Sequence, residues 1–210
     1  MKLQTHIKLQ FVVAAIAACF LHVVAAAVPE TATPGQGYPG KLEPYAGTPE
    51  LKARMERFGL TAGWFRRAPL PPSGEYRFNP KKCPANELPY LLFSPKRDRK
   101  PVPMVLYFGG NGEHGTNLVD QFKQTTVFEK VADPDFQKRH PCYIFAPMLP
   151  KGGAIRTGQP AGHASNLADL TSDAMYAVIA TLNSPPVDMN RIYVTGLSWG
   201  GAAAFEMSCG

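Results

Sequence analysis

The chain has no Lys/Arg run longer than two residues and no basic stripe interleaved with aromatics. Its formal charge of +6 at pH 7 is therefore spread thinly, as on an ordinary solvated surface. That pattern argues against a nucleic-acid partner. Neither Cys-x-x-Cys nor His-x-x-x-His spacing occurs, so no metal is expected. The P-loop Gly-Lys-Ser/Thr is missing, and the glycines after residue 108 do not open a helix as in the dinucleotide fingerprint. No cofactor is expected, and no internal repeat is present.

Cysteines are few: Cys19, Cys83, Cys142 and Cys209. The first falls in a leader. Lys2 and Lys8 precede an apolar stretch from Leu9 to Val24, and Ala25-Ala26-Ala27 offers small residues for cleavage. Residues 1–27 read as a signal peptide. Gln10 and His22 interrupt the stretch and Pro29 and Glu30 follow it, which disfavours a retained membrane span. Ile16-Ala17-Ala18-Cys19 also resembles a lipobox, with Cys19 as the lipidated residue, although the chain stays apolar through Ala27. Either reading exports the domain, as a secreted, periplasmic or anchored protein. Three cysteines then remain, an odd number, so at least one thiol is free or pairs outside the chain.

Residues 28–74 open with prolines at 29, 34, 39, 44 and 49 among glycines, the composition of a linker or extended arm. Within it, 51–67 has the spacing of a short amphipathic helix that docks on the domain or extends the arm. Residues 75–210 carry the regular pattern. Tyr76–Asn79 and Leu88–Ser94 read as strands, and Met104–Phe108 and Cys142–Ala146 as continuous apolar strands buried on both faces. Leu118–Val131 fits a crossover helix, and 148–165 a long Gly/Pro-rich loop beside a cleft. Leu167, Leu170, Ala174, Ala177, Val178 and Leu182 mark a second helix, capped by Ser165 or Asn166 and stopped by Ser184-Pro185-Pro186. Strand–helix–strand alternation implies a doubly wound α/β fold with a mainly parallel sheet.

The most informative stretch is Arg191-Ile192-Tyr193-Val194-Thr195-Gly196-Leu197-Ser198-Trp199-Gly200-Gly201. A β-branched strand meets Gly-x-Ser-x-Gly, and Ala202 to Met207 can form the helix beyond it. This is the context of a nucleophile elbow, where glycines allow a sharp strand-to-helix turn and the serine stands at its tip. Ser198 is the candidate nucleophile. The bland alternative is a glycine-rich loop with an incidental serine.

Acyl transfer also needs N–H donors aimed at the oxyanion, one of them from a loop after an earlier strand. Gly109-Gly110-Asn111-Gly112-Glu113-His114-Gly115-Thr116-Asn117 follows the Phe108 strand directly. The backbone N–H groups of Asn111 and Trp199 are the candidate oxyanion hole. A phosphate cradle and a simple flexible turn are the competing readings of this loop.

Taken in order, Leu88-Pro89-Tyr90-Leu91-Leu92, the 110–117 loop, Ala146-Pro147 and residues 191–201 resemble the secreted "predicted peptidase" and carboxylesterase branch of the α/β-hydrolase superfamily, over roughly residues 75–210. The resemblance implies a Ser-acid-His triad and hydrolysis of an ester, with amides as the second class, on a small-molecule or polymer-linked substrate. The chain departs from that pattern twice. Gly109-Gly110 stands where the family usually has His-Gly, and Trp199 where it often has Met.

In that family the acid and histidine follow the serine in the chain. Here His6 and His22 fall in the leader, His140 precedes its strand, His163 lies in the long loop, and His114 sits in the proposed oxyanion loop. Asp188 suits the turn before the last strand. The sequence therefore reads as the N-terminal part of a secreted serine hydrolase, inactive as such, whose later strands would pair beside 191–195. The alternative is a non-catalytic exported binding module or pseudoenzyme.

Overall fold

A computed structural model describes residues 40–67, 87–96, 100–123, 126–150, 164–182 and 186–209. The leader with Cys19, the strand expected at 76–79, Cys83, His163 and most of the 148–165 loop lie outside the described residues.

Order along the chain begins earlier than the arm reading allows. Strand β1 (Gly40–Pro44) leads to helix α1 (Pro49–Phe58) and strand β2 (Leu60–Arg67), and both strands join the main sheet. The helix expected over 51–67 is half helix and half strand, for local reasons. Thr48 caps it by accepting from the Leu51 N–H at 3.2 Å, and Pro49 presets the first turn. Gly59 ends it in the left-handed region, at φ 64°, which a side chain would resist. Beyond that stop the side chains alternate between faces, Leu60 entering one core and Phe65 the other, as along a strand. α1 buries Leu51 and Phe58, each contributing roughly 1.5–3 kcal/mol by transfer from water.

Strands β3 (Glu87–Phe93), β4 (Val102–Phe108), β5 (Tyr143–Pro147) and β6 (Val187–Gly196) complete a six-stranded sheet of order β1-β2-β3-β5-β4-β6. β5–β4 and β4–β6 are parallel, and the other three pairings are antiparallel. The expected parallel pairing therefore holds where the site lies. The N-terminal half departs from that expectation: β1–β2, β2–β3 and β3–β5 all run antiparallel, β1 and β2 despite the helix between them.

Helices cover both faces, as a doubly wound sheet requires. On one face α4 (Ala164–Thr181) and α5 (Trp199–Cys209) pack on Leu88, Tyr90, Met104, Leu106, Phe108 and Phe145. On the other, α1 and the β4–β5 crossover cover Leu91, Phe93, Tyr107, Ile144 and Ala146. Alternate residues of one strand thus enter different cores. α4 buries Leu170, Ala174 and Val178, three of the positions read from its periodicity. It already includes Ser165 and Asn166, so neither is its cap. Arg67 ties it to β2 through an ion pair with Asp173 at 3.2 Å.

The Leu118–Val131 crossover is not one helix. It forms a 3-10 turn at Leu118–Phe122, then short helices α2 (Val127–Val131) and α3 (Pro134–Arg139). Gln121 is buried and donates from Nε2 to the Ala146 carbonyl at 3.2 Å, which holds that turn flat on the sheet. Thr126 stands just before α2 with no side-chain cap hydrogen bond. Cys142 is a free, buried thiol at the entrance to β5.

At the entrance to β6, Val102 pairs with Val187 but Met104 already pairs with Ile192. The irregularity falls at Pro103, which has no N–H to donate. Asp188 organises the extra residues, accepting from the Asn190 N–H at 3.0 Å and from Arg191 Nε at 2.7 Å. Asp188 therefore lies within β6, at its irregular entrance, rather than in a turn before it, and far from the end of the strand that carries Ser198.

Candidate active site

Parallel pairing brings two turns together. Phe108 and Gly196 are partners at the last rung of β4 and β6, so the segments after them leave the same edge of the sheet side by side. The Leu197 N–H continues the ladder, donating to the Phe108 carbonyl at 3.0 Å. Ser198 then turns the chain with φ 53°, the sole non-glycine residue with positive φ among the described residues. Such a conformation costs an L-residue about 1–2 kcal/mol and persists only where the surroundings impose it. Here they do. A Cβ on Gly196 would overlap the Gly200 carbonyl, and a Cβ on Gly200 would overlap the Phe108 carbonyl and lie 2.6 Å from that of Gly109. The Gly201 N–H donates to the Ser198 carbonyl at 2.8 Å and starts α5. Ser198 is exposed at the tip.

The strand order and the elbow fit an α/β-hydrolase fold. Among the described residues β6 pairs with β4 alone and stands at the end of the sheet. Leu197 and Trp199, either side of the serine, are 39% and 40% exposed.

Hydrogen bonds hold the neighbouring loop from several sides. Residues Asn111–Glu113 form a 3-10 turn closed by the Glu113 N–H on the Gly110 carbonyl at 2.8 Å. The Glu113 side chain folds back to accept from the Gly110 N–H at 2.7 Å and from the Tyr107 hydroxyl at 3.3 Å. His114 is 1% exposed, with Nε2 3.2 Å from the Gly109 carbonyl. A carbonyl only accepts, so Nε2 carries the proton. Burial pushes the imidazole below its usual pKa, the Gly109 bond opposing in part. Gly115 donates to the Leu149 carbonyl at 2.7 Å and the Tyr45 hydroxyl to that of Thr116, also at 2.7 Å.

Asn111 and Trp199 each occupy the first position of a helical turn, where the backbone N–H has no acceptor within its own helix. The Gly110 N–H, by contrast, is taken by Glu113. His114 is engaged with the loop through Gly109, and His140 lies at the end of α3, before β5. Glu113 and Tyr107 were missed from sequence. The available signal was the acid three residues after Gly110, the spacing by which a side chain returns to a helix-start N–H.

Among the described residues no group of three or more His, Cys, Asp or Glu could hold a metal ion. Nor is any described helix long and apolar enough to cross a membrane. No family model and no curated protein matches the chain. Among solved structures, a thermostable esterase aligns with 60% of this chain and 35% of its own, at 31% identity and a TM-score of 0.47. The juvenile hormone epoxide hydrolase of the silkworm Bombyx mori aligns with 80% of this chain and 49% of its own, at 16% identity and a TM-score of 0.39. The chain thus matches less than half the length of either.

Proposed function

We propose that this chain carries the nucleophile and oxyanion hole of a secreted serine hydrolase acting on carboxylic esters, with amides as a secondary substrate class. The observation that supports it most is the strained, exposed Ser198, held on a glycine-tight turn beside a loop with a free helical-start N–H. In this reading Ser198 Oγ attacks the ester carbonyl and its proton passes to a histidine base. The Asn111 and Trp199 N–H groups hold the oxyanion, and collapse expels the alcohol with that proton. Water then repeats the sequence on the acyl-enzyme and releases the acid. Of the described histidines, His114 is bound to the Gly109 carbonyl and His140 stands before β5, at the other end of the parallel strands. The family resemblance puts the histidine and acid on loops after strands later than β6.

A fluorophosphonate probe on the full-length gene product tests the proposal. Labelling that disappears in Ser198→Ala supports it. A folded protein that takes no label favours instead an exported binding domain using the Trp199 face.

A further inference from the structure

The Gly109-Gly110 pair poses a mechanical problem. An oxyanion donor must point one way, yet two successive glycines have more backbone freedom than any other pair of residues. We infer that Glu113 is the positioning residue of the oxyanion hole, holding the two peptide planes before Asn111 so that the Asn111 N–H faces outward. This rests on the reading of Ser198 as nucleophile.

A trans peptide is planar, and its C=O and N–H point in opposite directions. The Gly110–Asn111 plane is set by the Gly110 carbonyl, which the Glu113 N–H binds at 2.8 Å. With that oxygen drawn into the 3-10 turn, the Asn111 N–H on the same plane is directed away from it. The Gly109–Gly110 plane is set by the Glu113 carboxylate, which binds the Gly110 N–H at 2.7 Å. The Gly109 carbonyl then points the opposite way, to His114 Nε2 at 3.2 Å. One residue thus controls both planes, one through its backbone and the other through its side chain.

Three further features fit that role. Glu113 is 1% exposed, so its hydrogen bonds do not compete with bulk water. The Tyr107 hydroxyl, on the strand that feeds the loop, holds the same carboxylate oxygen at 3.3 Å. Gly109 leaves the room the side chain needs, since a Cβ there would lie 2.7 Å from Glu113 Oε2 and 2.8 Å from its Cβ. The glycine pair is therefore the space into which the strut folds. Without the carboxylate the Gly109–Gly110 plane keeps only its His114 bond, and the glycine hinge that leads into the Asn111 donor is loosened.

The test uses the full-length gene product with p-nitrophenyl acetate as substrate. Glu113→Met keeps the side-chain volume but removes the acceptor, whereas Glu113→Gln keeps an amide oxygen for the Gly110 N–H. The Met variant is expected to lower kcat about 10- to 100-fold, with KM within about two-fold of wild type. The Gln variant should return kcat to within about five-fold of wild type. A wild-type kcat in the Met variant, or an equal loss in both folded variants, overturns the role. Should the Met variant not fold, a folded Gln variant within that range supports the role, and one as inactive as Ser198→Ala overturns it. If wild-type protein takes no fluorophosphonate on Ser198, the nucleophile reading fails and the positioning role falls with it. Labelling at Ser198 beside an unaffected Met variant overturns the positioning role alone.

Discussion

Two glycine-rich turns leave the same edge of the sheet, and they are built by opposite means. The segment after β4 is held by polar side chains: Glu113 and His114 are each 1% exposed and bound to the backbone of Gly110 and Gly109. The turn after β6 is held by the absence of side chains, with Gly196 and Gly200 pressed onto carbonyl groups and Ser198 forced into a left-handed conformation. A turn fixed by hydrogen bonds is sensitive to charge and acceptors. A turn fixed by steric fit is sensitive to single methyl groups.

Four variants sharpen that contrast. Gly200→Ala is expected to have the largest effect, because the added methyl meets the Phe108 carbonyl and the two strand ends must part. A loss of about 2–4 kcal/mol in urea unfolding is expected; an unchanged midpoint would show that the elbow does not seat against β4.

His114 probes the polar turn. Its pKa is lowered in the fold, so the unfolded chain binds its proton more readily, and the stability it supports is full above about 6.5 and declines as pH falls below it. Protonation would place a charge on a ring whose Nδ1 has no partner among the described residues. Unfolding free energy should therefore fall with a slope of at most about 1.4 kcal/mol per pH unit from this group. In His114→Gln that slope should be absent from a pH series of melts.

Ser198→Gly separates strain from chemistry. It should abolish labelling and yet stabilise the fold by about 1 kcal/mol, since glycine accepts φ 53°. A less stable glycine variant would contradict the strained elbow. The smallest effect belongs to the opposite end of the sheet. Asp188→Asn keeps an oxygen for the Asn190 N–H but loses the Arg191 pairing. The Arg191 hydrogen bond, chiefly, holds the Asp188 carboxyl below its usual range, so what it contributes is present at neutral pH and lost only as pH falls through that lowered value. The variant's melting temperature should differ slightly from wild type at pH 7, and the difference should shrink as acid protonates the wild-type carboxyl.

The elbow was legible because it is a local device. Gly196, Ser198 and Gly200 stand at fixed offsets between a β-branched run and an alanine-rich helix, and each requirement concerns neighbours in the chain. The apolar strands β4 and β5 and the helix α4 were legible through period and run length. β1 and β2 were not, because proline- and glycine-rich composition masks strands that are stabilised by partners far along the chain. The break in the 118–131 crossover was hidden for a related reason: buried Gln121 reaches a carbonyl of β5, a contact 25 residues away.

Sequence alone determined which serine stands on a sharp turn and which loop supplies glycine beside it, since both follow from steric rules acting within a few residues. Only the tertiary structure decided that Phe108 pairs with Gly196, and with it that the two turns meet. It also decided that Glu113 takes the Gly110 N–H and leaves that of Asn111 as the helical-start donor. Those outcomes depend on strand register and burial, which arise from the balance of contacts across the whole sheet.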